Sequence, residues 1–80
     1  MDLSDEQQRL FEALRVWRKG KAKELDVPAF VVLSDRSLRH LAHARPRTLD
    51  ALHEIHGFGE VKIEKFGGEV LAEILLQTPG

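Results

Sequence analysis

Eighty residues, 42% of them hydrophobic, with a formal net charge of −1, describe one small globular domain rather than a disordered chain or two independent cores. The absence of cysteine excludes disulfides and thiolate metal sites. No apolar run approaches the roughly 18 residues that a membrane-spanning helix needs, and no signal-peptide pattern opens the chain.

The first element is a long helix over "LSDEQQRLFEALRVWRKGKAKELD". Ser4 and Gln7 stand at capping-box spacing. Leu10, Leu14, Trp17 and Leu25 form an inner stripe with Phe11 beside it, and Arg15, Lys19 and Lys23 fall on the other side. Gly20 interrupts the pattern and marks a place where the helix can bend.

"VPAFVVLS" has the β-branched run of a strand. A single strand would have no partner and would leave its backbone groups unpaired. The stretch therefore reads as an extended, largely buried connection that starts at Pro28.

"SDRSLRHLAHARP" is the next helix, capped by Ser34 or Asp35 and closed by Pro46. Leu38, Leu41 and Ala42 face inward, while Arg36, Arg39, His40 and His43 share the opposite face. "TLDALHEIHG" is a short helix with Thr48 as N-cap and Gly57 as the residue that ends it. Leu49, Leu52 and Ile55 make its inner stripe. "EVKIEKFGGEVLAEILLQ" gives two further helical pieces divided near Gly67 and Gly68, with Val70, Leu71, Ile74 and Leu75 as the last apolar stripe. The expected fold is an all-α compact bundle of about five helices, with one extended buried connection after the first. The terminal "QTPG" reads as the start of a linker, so residues 1–80 read as one domain, with a core over about 5–77, cut from a larger protein.

The segment "IHGFGEVKIEKFGG" holds four glycines in fourteen residues. Its G-x-G-x-x-K fragment lacks the preceding strand that a dinucleotide fold requires. Two readings stay open. Gly57 ends one helix in the left-handed region and Gly59 starts the next at close approach. Alternatively, the turn presents backbone amides to a phosphate as in helix-hairpin-helix proteins, with Glu60 opposing and Lys62 assisting.

The histidines form H-x-x-H twice, His40 with His43 and His53 with His56. That spacing puts each pair on one helical face, but no carboxylate joins them at a recognisable spacing, so they read as surface histidines. Ser4 and Ser34 are helix caps, and no G-x-S-x-G elbow is present. No active site, metal or cofactor is expected.

Charge is unevenly spread, at −3 over residues 1–8, +6 over residues 9–47 and −4 over residues 48–80. A chain polarised in this way can present a basic patch to nucleic acid despite its nearly neutral total.

Taken in order, "LFEALRVWR", "VPAFVVLSDRSLRHLA" and "RPRTLDALHEIHGFGEVKIEKFG" resemble the HRDC (helicase and RNase D C-terminal) domain from about Leu10 to Leu75. The likeness is greatest to HRDC domains of bacterial RecQ DNA helicases, sometimes present as a tandem set. The resemblance implies a non-catalytic, monomeric accessory domain of a cytoplasmic, nucleoid-associated helicase. Its expected partners are single-stranded or branched DNA, bound weakly, or another domain or protein on which it docks. The resemblance also implies that Phe30, after the "VP" turn, is an exposed stacking face for a base; packing into the core is its other possible place. Arg36 and Arg39 are then the expected phosphate contacts, with Arg18, Lys19 and Lys62 adding to them if the fold brings them near. The net charge of −1 departs from the basic character of DNA-binding members and keeps the docking alternative open.

Overall fold

The computed structural model describes residues 2–78, so part of the "QTPG" linker reading lies outside the described residues. Among the described residues there are five helical units and no strand.

α1 (Asp5–Leu25) begins with the expected capping box. The Gln7 amide N–H donates to Ser4 Oγ at 3.2 Å, and Ser4 N–H donates to Gln7 Oε1 at 2.8 Å. Asp5 and Glu6 lie in the first turn, where the helix dipole favours acids. The helix runs through Gly20 without interruption and ends at Asp26, which takes the left-handed conformation at φ 56°. Its buried side chains are Leu10, Leu14 and Ala22, with Trp17 and Phe11 packed against the core. Leu25 departs from the expected stripe and is exposed, because it stands in the last turn, past the contacts that bury Ala22.

The connection after α1 also differs from expectation. Pro28 is extended, but Ala29–Val32 form one helical turn, α2. Val31 N–H donates to the Pro28 carbonyl at 3.0 Å and Leu33 N–H to the Ala29 carbonyl at 3.3 Å. A helical turn pairs this backbone locally, which an isolated extended segment cannot do. It also sorts the side chains. Val32 and Leu33 are fully buried, while Phe30 is 71% exposed and Val31 is exposed beside it.

α3 (Asp35–Ala44) is capped by Ser34, whose Oγ accepts from Ser37 N–H at 3.1 Å. Leu38, Leu41 and Ala42 are fully buried against α1, and Arg45 closes the helix in the left-handed region. α4 (Leu49–Leu52) has Thr48 as its cap, with Thr48 Oγ1 accepting from Ala51 N–H at 3.1 Å. It is shorter than expected. Residues 53–55 continue it only as tight turns, in which Ile55 N–H donates to the Leu52 carbonyl at 3.0 Å. Leu52 and Ile55 are buried as predicted, whereas Leu49 is half exposed. Gly57 therefore does not end α4 directly. It turns the chain later, at φ +84°.

The last unit is continuous. α5 (Glu60–Lys62) passes through a π-helical turn (Ile63–Gly67) into α6 (Gly68–Leu76). The predicted division near Gly67 is thus a widened turn rather than a break. A Cβ on Gly67 would lie 2.9 Å from Leu49 Cδ2 and 3.2 Å from Leu52 Cδ1, so the missing side chain is what lets this turn seat on α4. Gly59 caps α5, but nothing lies within 4 Å of where its Cβ would stand, so the expected close approach there is absent. Val70 and Ile74 are buried and α6 packs on α1, while Leu75 is 72% exposed. Leu71 is half-buried against the core, and with Leu75 it borders a surface groove beside Pro46 and Arg47.

Candidate nucleic-acid interface

Phe30 sits on the outside of the bundle because α2 is only one turn long and its buried side is taken by Val32. Its two neighbours face different grooves. Ala29 lines one with Arg15, Arg18 and Lys19 of α1. Val31 lines another with Leu25, Val61, Lys62 and Lys65. Lys62 Nζ donates to the Val31 carbonyl at 3.2 Å, so this ammonium is fastened to the backbone next to the exposed ring. The residues on either side of Phe30 in the chain thus border grooves that hold basic side chains, Arg15 among them being paired with Glu12 at 3.3 Å.

Arg18 is placed differently from the other candidates. Its guanidinium donates to the Leu33 carbonyl at 2.9 Å and pairs with Asp35 Oδ1 at 2.8 Å, with only 11% of its side chain exposed. It ties α1 to the start of α3. The hydrogen bond and charge of Arg18 hold the Asp35 carboxyl below its ordinary range, and the nearby charges of Arg39 and Arg15 act in the same direction.

Arg36 and Arg39 lie on the exposed face of α3, as predicted. Arg39 reaches the Phe11 ring, its guanidinium carbon 5.9 Å from the ring centroid, and Arg15 approaches the same ring at 6.0 Å. Phe11 therefore joins the basic stripe of α1 to that of α3, each guanidinium gaining a cation–π contact. Arg15 and Lys65 belong to this surface and were not singled out as site residues from sequence. Arg15 stands four residues after Phe11, a spacing that puts the two on one helical face. The approach of Arg39 to that ring had no sequence signal.

On the opposite side of α1, Lys21 pairs with Glu69 at 3.0 Å and Glu24 at 3.1 Å. The hydrogen bond to Glu69, followed by that to Glu24, raises the Lys21 pKa. The Glu69 carboxyl is lowered, chiefly by Lys21 and also by Trp17, whose Nε1–H donates to Glu69 Oε1 at 3.3 Å. The Trp17 ring meets Phe66 edge-on at 5.9 Å. These contacts fasten α6 to α1 and take Lys21 out of the basic surface.

Among the described residues no group of three or more His, Asp or Glu side chains is placed to hold an ion. His40 Nδ1 accepts from the backbone N–H of His56 at 3.0 Å, and His43 Nδ1 lies 3.2 Å from Gln7 Nε2. Among the described residues no helix is long and apolar enough to cross a membrane.

The fold and this surface define a small all-helical domain with an exposed aromatic among basic side chains. The chain belongs to the HRDC domain family, which matches residues 7–74. It is similar to the ATP-dependent DNA helicase RecQ of Bacillus subtilis (strain 168), at 45% identity over 69 residues, covering 86% of this chain and 12% of that protein. It is also similar to the ATP-dependent DNA helicase UvrD2 of Mycobacterium tuberculosis (strain ATCC 25618 / H37Rv), at 40% identity over 68 residues, covering 85% of this chain and 10% of that protein. The chain thus spans only about a tenth of the length of these relatives. Among solved structures it matches D. radiodurans RecQ HRDC domain 3 with a TM-score of 0.88 and 40% identity, covering 92% of this chain and 97% of that one.

Proposed function

We propose that this chain is a non-catalytic accessory domain of a RecQ-like DNA helicase, which weakly binds single-stranded or branched DNA and helps bring the helicase to its substrate. Phe30 carries the reading: a large aromatic residue left 71% exposed, next to Val31 whose carbonyl holds Lys62, in a domain whose other phenylalanines are buried or packed on the core. A base stacked on such a ring contributes roughly 1–3 kcal/mol, without regard to sequence. Arg36 and Arg39 hold phosphates from the outer face of α3, with Lys19 or Lys62 adding one nearer the ring, while Arg18 acts by fixing Leu33 and Asp35 in place. The relatives named as DNA helicases support the parent assignment. In this reading the domain works as a monomer, needs no cofactor and acts in the bacterial cytoplasm.

Titration of labelled single-stranded, duplex and forked DNA at two salt concentrations tests the proposal. Binding on the order of micromolar or weaker, preferring single-stranded or forked DNA, is expected. Two or three phosphate contacts give a log–log salt slope of about −1.4 to −2.1 on single strands.

A second reading is docking onto another domain or protein. The exposed Leu75 and Leu76, and the net −4 over residues 48–80, favour it. Absence of DNA binding even at low salt is the result that selects docking.

A further inference from the structure

His40, His43 and His56 line an open groove of about 580 Å³ together with Arg36, Arg39, Leu3 and Glu54. None of these residues belongs to α2, so the groove is distinct from the surface around Phe30. Hydrogen bonds at Nδ1 orient two of its imidazoles. His40 Nδ1 accepts a backbone N–H and therefore carries no proton in this arrangement. The Gln7 amide is oriented by the capping box, because its Oε1 accepts from Ser4 N–H. Its Nε2, which can only donate, then faces His43 Nδ1. Both rings are left with Nε2–H as a donor. Among the described residues, neither Arg36 nor Arg39 takes part in an ion pair. The groove thus gathers two guanidinium groups and two imidazole N–H groups, against one carboxylate, Glu54.

We propose that this groove is a phosphate-binding site in which Arg36 and Arg39 supply charge and the Nε2–H groups of His40 and His43 supply directed hydrogen bonds. The phosphate comes from a strand end or from the strand backbone. Only that choice of source rests on the DNA-binding reading above. Phosphate suits the site because its oxygens accept several hydrogen bonds at once, and guanidinium groups bind them in pairs. The two H-x-x-H pairs are then unequal. His40 and His43 are site residues, and His56 serves through its backbone N–H, which holds His40.

The test is a histidine-ring ¹H–¹⁵N correlation experiment on the intact chain at fixed pH, adding inorganic phosphate against chloride at matched ionic strength. Saturable shifts at His40 and His43 Nε2 are expected with phosphate alone. Arg36→Gln combined with Arg39→Gln should weaken the response roughly tenfold or more while the protein stays folded, as a loss of charge-assisted hydrogen bonds implies. Phe30→Ala should leave the response intact. Equal shifts with chloride, or an undiminished response in the double variant, overturn the site. Oligothymidylate with a 5′-phosphate or a 5′-hydroxyl then separates the sources: tighter binding of the phosphorylated strand assigns the strand end, and equal histidine shifts assign the backbone. Histidines that stay still while DNA binds through Phe30 overturn this site alone. Histidines that respond to phosphate in a chain that binds no DNA uphold it and overturn the DNA reading.

Discussion

Ser37 donates its hydroxyl to the carbonyl of His56 at 2.6 Å, joining the first turn of α3 to the turn that precedes Gly57. Ser37 is a polar residue buried in the core, and the bond satisfies it. A side chain on Gly57 would run into that same hydroxyl, and Gly57 stands at φ +84°. Gly57→Val is therefore expected to cost on the order of 1–3 kcal/mol from backbone strain, with further loss if Ser37 moves. Urea melts measure it. Unchanged stability with lost DNA affinity would instead make the turn a phosphate clamp.

The Arg18–Asp35 pair gives a pH prediction. The folded Asp35 carboxyl lies below its ordinary value. Its stabilisation is therefore complete above the unfolded value, near pH 4, and is lost as pH falls through the depressed folded value. Much of Asp35 is solvated, so the effect is modest. Arg18→Gln should remove this part of the acid dependence and also lower stability at neutral pH by about 1–3 kcal/mol, because the Leu33 carbonyl loses a charged donor. Melts of parent and variant between pH 2 and 7 are the check, and parallel acid profiles would contradict it.

Trp17 gives a spectroscopic reading of the α1–α6 contact. Its indole donates to Glu69, whose pKa is lowered first by Lys21. Trp17 fluorescence should titrate with a midpoint below the ordinary glutamate value, about 4.3. Lys21→Met should move that midpoint upward. A midpoint that does not respond to Lys21 would place the indole away from this pair.

Much of the helical frame was legible because its signals are local. Ser4 with Gln7, Ser34 and Thr48 act within three residues of themselves, and Leu38, Leu41 and Ala42 repeat at the helical period. What failed depended on distant partners. The β-branched residues of "VPAFVV" suggested extended chain, yet burial of Val32 and Leu33 is compatible with a helical turn that pairs its own backbone. Leu25 and Leu75 obey the period but stand where no neighbour covers them. At the candidate site, the solvent face of α3 was readable, whereas the internal pairing of Arg18 and the shared Phe11 ring required the packing of α1 on α3.

Reversing charge on α3 separates binding from folding. Arg36→Glu with Arg39→Glu is expected to abolish DNA binding at moderate salt. Both side chains are exposed, and Arg39 gives up an exposed cation–π contact with Phe11, worth about 0.5–1 kcal/mol, together with its favourable charge near Asp35, so only a modest loss of stability is expected. Anisotropy titrations beside thermal melts test it, and unaltered DNA affinity would remove α3 from the interface.

Phe30→Ala tests the stacking role of this ring. Because the ring is 71% exposed, its removal should leave the urea midpoint nearly unchanged. Affinity for single-stranded DNA, measured by anisotropy at low salt, should fall by about 1–3 kcal/mol of stacking, roughly 5- to 150-fold. An unchanged affinity in a normally folded variant would rule out base stacking on Phe30.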